Sequence, residues 1–156
     1  MSKNSAHSHP WKISDVVMFP ALALAIVLEW FCPTEIGPSR WLLTPIGAVV
    51  SVAGYLLIER SKRHLDSYNQ PSLPGEPTTR LVIDGPFRFS RNPNYLGAIG
   101  IALGLAIAVD STWFLAITFV CMAILDFWMI RPEEAYLREK FGDEYTAYQL
   151  QTRRWI

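Results

Sequence analysis

Four long apolar windows constrain the fold of this chain more than any other feature. They cover residues 16–31, 41–58, 95–109 and 112–130. At 1.5 Å per residue, the first, second and fourth give helices of roughly 25–30 Å, close to the thickness of a bilayer core. The third gives about 22 Å and reaches full length only if its helix begins near Pro93. The first is broken only by Pro20 and Glu29. The windows are otherwise apolar all round, whereas a soluble bundle shows polar stripes at helical spacing.

Small residues line one face of two of these predicted helices. They are Gly47, Ser51 and Gly54 on the second, and Gly97, Gly100 and Gly104 on the third. In lipid, helices associate through such close-packed faces, within one bundle or between two, so the oligomeric state stays open. We therefore predict an all-α integral membrane bundle of one domain, residues 1–156. Its four or so transmembrane helices lie at about residues 16–31, 41–58, 93–109 and 112–130.

Lysine and arginine predict the orientation of the bundle. They are concentrated between the second and third windows and after the fourth: Arg60, Lys62, Arg63, Arg80, Arg88, Arg91, Arg131, Arg138, Lys140, Arg153 and Arg154. The first connection holds only Arg40, and the turn at Asp110 and Ser111 holds none. Because positive loops stay inside, a multi-pass protein with both termini in the cytoplasm is expected.

The remaining composition argues against several other classes of protein. With 14 basic and 14 acidic residues, the chain has no net charge and no basic stripe for nucleic acid. Cys32 and Cys121 have neither disulfide nor zinc spacing and are interpreted as small apolar residues. His7 and His9 lie in a short polar tail that is expected to be solvated, so no metal site is predicted.

The segments outside the windows also have distinct predictions. Four residues forbid a continuous helix after the second window: Pro71, Pro74, Gly75 and Pro77. Residues 79–86 are predicted to be extended and to end in a turn. Residues 132–156 are predicted to form a helix on the membrane surface, interrupted at Gly142.

Two polar clusters remain as candidates for chemistry. The first is GPFRFSRNPNYLG at residues 85–97, which has a purely structural interpretation. In it, Gly85-Pro86 forms a turn, Arg88 and Arg91 reach lipid headgroups, Asn92 caps a helix, and Tyr95 lies at the membrane interface. The alternative is that this cluster binds a ligand. Both interpretations stay open at this point.

The second cluster, Arg131-Pro132-Glu133-Glu134, lies where the fourth window ends. Structurally, Pro132 begins a new helix whose positive end the glutamates complement. Alternatively, the carboxylates face the arginines of the first cluster and bind a zwitterion. Asp126 lies two turns deeper, and an acidic residue within a membrane helix is a functional candidate.

The order of these motifs resembles that of a known superfamily. The motifs are TRLV at residues 79–82, GPFRFSRNPNYLG at 85–97, EEAYL at 133–137, FGDEY at 141–145 and RWI at 154–156. They resemble the isoprenylcysteine carboxyl methyltransferase and phospholipid methyltransferase superfamily, which transfers methyl groups from S-adenosylmethionine within a helical membrane fold. The resemblance covers the chain from Thr79 to its end.

The resemblance implies a cytoplasmic cofactor site built from residues 79–97 and 131–156. The implied cofactor-binding residues are Thr79, Leu81, Val82, Phe87, Arg88, Asn92, Pro93, Asn94, Tyr95 and Glu133. Glu133 suits the ammonium group of the cofactor, and Arg88 or Arg91 suits its carboxylate. Arg91 and Glu134 are the candidate catalytic residues, Glu134 as a general base for an amine or neutral thiol acceptor.

Three departures from the family pattern bear on the substrate. The family often has histidine at the position of Asn92 and tyrosine at that of Phe87, and its eukaryotic enzymes have a substrate-binding arginine where this chain has Met129. The expected function is methyl transfer to a lipophilic or small apolar acceptor, with an isoprenylcysteine-type carboxylate as one candidate, and the expected partners are this acceptor and membrane lipids. The alternatives are methylation of a phospholipid amine or small thiol, and a non-catalytic helical membrane subunit.

Overall fold

Every regular element in the described part of the chain is helical. The structure, a computed structural model, describes residues 14–37, 39–71 and 78–156. Its α-helices are α1 (Ser14–Phe31), α2 (Arg40–Ser67), α3 (Pro93–Val109), α4 (Thr112–Leu125), α5 (Arg131–Phe141) and α6 (Asp143–Gln151). A 3₁₀ turn covers Gly85–Arg88, and a π-helical turn covers Asp126–Ile130. The all-α prediction is confirmed. His7, His9, Pro74, Gly75 and Pro77 lie outside the described residues.

Two of these helices have the length and composition to cross a membrane. They are α2 and the continuous helix Thr112–Phe141, which comprises α4, the π-helical turn and α5. The apolar part of α1, Val16–Phe31, and α3 are shorter. Large apolar side chains stay exposed on the outer faces of the helices, among them Phe19, Trp30, Trp41 and Val49. Exposed apolar surface of this extent marks a contact with lipid or protein.

The predicted helix boundaries were right for α3 and wrong for α2. α3 begins at Pro93, because proline suits the first turn of a helix. α2 continues to Ser67, although its apolar window ends at Ile58. Residues 59–67 contain no proline or glycine, so nothing stops the helix where its apolar character ends.

The predicted start of a separate surface helix at Pro132 was also wrong. The helix passes through this residue without a break, because the π-helical turn precedes it and the Arg131 amide donates to the carbonyl of Asp126. A wider turn accommodates proline, which lacks an amide N–H and whose ring crowds the carbonyl four residues earlier in a regular α-helix. The helical break at Gly142 is present, where φ is +53°.

Glycine allows α2 and α3 to pack backbone against backbone. A Cβ added to Gly54 would lie 2.6 Å from the carbonyl oxygen of Gly97, and one added to Gly97 would lie 2.6 Å from that of Gly54. Gly47 and Gly104 make the same kind of contact farther from the 3₁₀ turn. The predicted small-residue interface is therefore present, with Gly100 in looser contact.

The turn between α3 and α4 anchors the connection between α1 and α2. Asp110 is buried, has φ of +58°, and accepts the amide N–H groups of Ile36 and Gly37 at 2.8 and 3.1 Å. Ser111 caps α4 by accepting the amide of Phe114 and donates its hydroxyl to Glu29. These bonds explain the acidic residue that interrupts the first apolar window.

Candidate active site

The C-terminal residues fold back onto the start of α3. The Arg91 amide donates to the carbonyl of Arg153 at 3.0 Å. The Ser90 hydroxyl and the Asn92 side-chain amide each donate to the carbonyl of Arg154 at 3.1 Å. Asn92 is the N-cap residue of α3, as predicted, but its side chain makes no cap hydrogen bond to that helix. These contacts bring the first motif cluster and the chain terminus to one end of the bundle.

Glu134 lies at the centre of an ionic network at this end. Its side chain is 5% exposed, and it pairs with Arg91 at 2.8 Å and with Arg154 at 2.7 Å. Arg154 also pairs with Asp126 at 3.1 Å, and Asp126 with Arg131 at 2.8 Å. A buried carboxylate needs such partners, since an unpaired charge away from water is costly.

Arg91 is the second fixed member of this network. Its side chain is 11% exposed, and its guanidinium also donates to the carbonyls of Gln149 and Thr152. The interpretation that it reaches lipid headgroups was therefore wrong. Arg88, by contrast, is exposed.

Glu133, next in sequence to Glu134, has a different environment. The hydroxyl of the buried Tyr95 donates to Glu133 Oε2 at 3.3 Å. The chain packed around the carboxyl removes much of its water, although part of the residue stays accessible. This burial raises the pKa of Glu133 to about 7. The carboxyl thus carries only partial negative charge near neutrality, and an added cation would favour the ionised form.

Asn94, in the first turn of α3, has a buried side-chain oxygen without a partner. Within the described residues, Asn94 Oδ1 has no hydrogen-bond donor. An unsatisfied buried acceptor costs about 1–3 kcal/mol, and native structures contain few of them. A ligand with an N–H or O–H group would satisfy it, so the end of α3 fits a polar ligand.

Three of the predicted cofactor-binding residues lie in the segment that precedes the 3₁₀ turn. The Thr79 amide donates to the side-chain oxygen of Gln70 at 2.9 Å, and Thr79 is exposed. Val82 is buried and Leu81 is partly buried.

The 3₁₀ turn and the start of α3 are held by the chain terminus. Tyr148 donates its hydroxyl to the carbonyl of Phe87 at 2.5 Å, and Thr152 donates to that of Arg88 at 3.3 Å. Pro93 is buried. The sequence reasoning missed Tyr148, Thr152 and Arg154 as members of this assembly. The RWI motif contains Arg154 and was the only sequence signal for it.

An apolar groove of about 240 Å³ lies between the helices of the bundle. α1, α3 and α4 line it, with Ile58 of α2. It extends along α3 from Ala98, one helical turn beyond Tyr95, to Leu105. Cys121 lines it as an apolar residue, in agreement with the sequence interpretation.

Parts of the sequence are similar to known proteins. The sequence profile described as phospholipid methyltransferase matches residues 41–144, about two thirds of the chain. A protein of Haemophilus influenzae that is named only as uncharacterized is 34% identical over 64 residues. That match covers 40% of this chain and 98% of the relative.

Proposed function

This chain belongs to the phospholipid methyltransferase family, and we propose that it transfers the methyl group of S-adenosylmethionine to a lipophilic acceptor. We further propose that it acts as one multi-pass membrane domain, residues 1–156, with both termini and the site at the cytoplasmic side. The observation that carries the proposal is the enclosed Glu133 carboxyl, which accepts the Tyr95 hydroxyl from the first turn of α3, together with the unsatisfied oxygen of Asn94 in the same turn.

The polar groups at the end of α3 fit the amino-acid head of the cofactor. Glu133 holds the ammonium group, and the Asn94 oxygen accepts a hydrogen bond from the same ligand. Arg88 holds the carboxylate, because Arg91 already donates to Glu134 and to two backbone carbonyls. When bound, the cofactor supplies an electrophilic methyl group on a sulfonium sulfur.

The remaining predicted residues complete the pocket in this proposal. Asn92 and Pro93 set the start of α3 against the chain terminus. The ring of Phe87 and the hydroxyl-bearing ring of Tyr95 supply apolar contact. The edge of the adenine ring contacts the backbone of the segment that contains Thr79, Leu81 and Val82.

Arg91 and Glu134 act together as positioning residues in this proposal. Both carboxylate oxygens of Glu134 accept guanidinium N–H groups, so neither is directed at an acceptor. We therefore do not assign the role of general base to Glu134. An acceptor that arrives as a carboxylate or thiolate needs no base, and its attack on a sulfonium neutralises charge as it proceeds. A site with little water would favour such a reaction.

The apolar groove supports an acceptor with a hydrocarbon tail. A tail along α3 from Leu105 to Ala98 would place its polar head near Tyr95 and Glu133. Met129 is buried in the core beside Tyr95, Ile99 and Leu125, so it offers no group for a substrate carboxylate. This arrangement favours no single acceptor atom.

Titration of the detergent-solubilised protein with S-adenosylmethionine tests the cofactor assignment. We expect saturable binding by the wild type and at least about tenfold weaker binding by Glu133→Ala, since a charge-assisted hydrogen bond is worth about 1.5–3 kcal/mol. Asn94→Ala should weaken binding about fivefold without lowering thermal stability, because its oxygen has no partner to lose. Glu139→Ala, at an exposed position of α5, is the matched control. Absence of binding by the wild type would favour the non-catalytic subunit.

Labelled methyl transfer identifies the acceptor. The protein is supplied with labelled S-adenosylmethionine and, separately, with phospholipids, small thiols and prenylcysteine analogues. Label on a lipophilic carboxylate or thiol supports the proposal, whereas label confined to a phospholipid amine would show that a base other than Glu134 operates.

A further inference from the structure

A polar cluster outside the site described above joins the end of α2 to the residue that precedes the 3₁₀ turn. His64, in the last turn of α2, lies with Nε2 2.9 Å from Asp84 Oδ1. The Tyr68 hydroxyl donates to the other oxygen, Oδ2, at 2.7 Å. The Arg80 guanidinium lies 4.6 Å above the Tyr68 ring. Hydrogen bonds from Tyr68 and His64 hold the pKa of Asp84 below its usual range, so the carboxylate is ionised at neutral pH.

The ring of His64 also packs directly against the 3₁₀ turn. It stacks on the ring of Phe87, with centroids 6.4 Å apart and planes 26° apart. Gly85 has φ of +58°, and a Cβ on it would lie 2.7 Å from two atoms of the His64 ring. Glycine at this position thus serves both the left-handed backbone and the close approach of the imidazole.

The two sides of the turn are held by different parts of the chain. On one side, Tyr148 and Thr152 bond the carbonyls of Phe87 and Arg88. On the other, His64 of α2 bonds Asp84 and stacks on the ring of Phe87. A four-residue turn without neighbouring strands needs such external contacts to keep one conformation.

The cluster does not have the composition of a metal site. Within the described residues, no group of three or more histidine, cysteine, aspartate or glutamate side chains could hold a metal ion. His64 directs Nε2 to a carboxylate that is itself held by a phenol. This arrangement orients an imidazole and a turn rather than a cation.

We infer that His64 and Asp84 form a positioning pair that fixes the turn Gly85–Arg88 for cofactor binding. The inference rests on the proposed function, in which Phe87 and Arg88 contact S-adenosylmethionine. A turn that is already ordered loses less conformational entropy when the ligand binds, so the pair acts on cofactor affinity. It touches no reacting atom and therefore leaves the rate of methyl transfer at saturation nearly unchanged.

The test compares cofactor affinity and turnover in variants of the full chain. His64→Ala and Asp84→Ala should each raise the Kd and KM for S-adenosylmethionine about tenfold while kcat changes by less than about twofold, since a hydrogen bond to a charged group is lost. His64→Gln keeps an N–H donor at a similar reach and should stay within about threefold of the wild type. The double alanine variant should be no weaker than the single variants, because both remove the same interaction. Lys62→Ala, at an exposed position in the same part of α2, is the control.

The outcomes separate the inference from the function on which it rests. If the wild type does not bind the cofactor, the proposed function fails. If it binds and the alanine variants bind equally well, or if kcat falls while Kd is unchanged, the positioning pair is refuted. Should the alanine variants fail to fold, Tyr68→Phe and His64→Gln decide. Tyr68→Phe removes only one hydroxyl from Asp84 and should weaken binding about two- to threefold with the fold intact, and an unchanged Kd would again contradict the inference.

Discussion

Gly104→Ala should separate α2 from α3 and destabilise the bundle. An alanine Cβ at this position would fall on the hydroxyl of Ser51, 2.5 Å from both the carbonyl oxygen of Gly47 and the amide nitrogen of Ser51. Two of these atoms are helix backbone and cannot rotate away. Carbon requires about 3.5 Å from such neighbours, so the helices must move apart by about 1 Å.

The size of the effect follows from this displacement. A radial gap of 0.5–1 Å forfeits about a quarter to a half of the dispersion energy of the facing atoms. Overpacking of this kind costs about 1–3 kcal/mol. Gly100→Ala is the matched control, because its Cβ would lie 3.4 Å from Gly54 Cα, near ordinary contact. Both variants replace glycine by alanine within α3, so the gain in helix propensity of about 1 kcal/mol cancels between them.

Thermal unfolding in one detergent measures the difference. At about 2–4 °C per kcal/mol for a chain of this size, a difference of about 2 kcal/mol lowers the Tm of Gly104→Ala by about 4–8 °C relative to Gly100→Ala. Equal Tm values for the two variants would refute the reasoning, because they would mean that α2 and α3 do not approach closely at Ser51.

Two further predictions concern the carboxylates at the end of the bundle. Glu134→Ala should lower the free energy of unfolding by about 3 kcal/mol, since it leaves the nearly buried Arg91 without its carboxylate. Glu139→Ala, on the exposed face of α5, should have little effect in the same unfolding assay. Similar losses in the two variants would contradict the role of the network. Affinity for S-adenosylmethionine should rise between pH 6 and 8, because the Glu133 pKa of about 7 leaves the carboxyl partly protonated at the lower pH, and Glu133→Gln should flatten this titration profile. Folding stability should depend on pH in the opposite direction. Glu133 holds its proton more tightly in the folded state than in the unfolded state, so its contribution to stability declines as the pH rises from about 4.5 to 7.

The boundaries of the helices show how far local sequence predicts structure here. α3 and α4 begin at Pro93 and Thr112, as predicted, because a proline in the first turn or a capping hydroxyl such as that of Ser111 acts within one turn of the chain. The end of α2 could not be predicted from the apolar window, since residues 59–67 are polar but compatible with a helix. The π-helical turn before Pro132 likewise has no local signal.

The candidate site, like the helix boundaries, could be predicted from the sequence only in part. The motif order predicted two site clusters and the family, and the profile match over residues 41–144 confirms the family. It assigned Glu134 as a base, and the network around this residue instead supports a positioning role. Two arginines decide this: Arg91 and Arg154 lie 43 and 20 residues away in sequence. No local pattern states that both guanidinium groups reach the same carboxylate.

The apolar windows alone establish the helical class, because only a helix satisfies its own backbone in apolar surroundings, and this requirement is local. The assembly of the polar end is different. Two contacts there join parts of the chain that are distant in sequence: the C-terminal residues bond Asn92, and His64 packs against the 3₁₀ turn. The same packing leaves the side-chain oxygen of Asn94 without a partner. These depend on how the helices pack, and packing through Gly54 and Gly97 sets the distance between α2 and α3. Tertiary structure thus decides which polar groups at this end of the bundle stay available for a ligand.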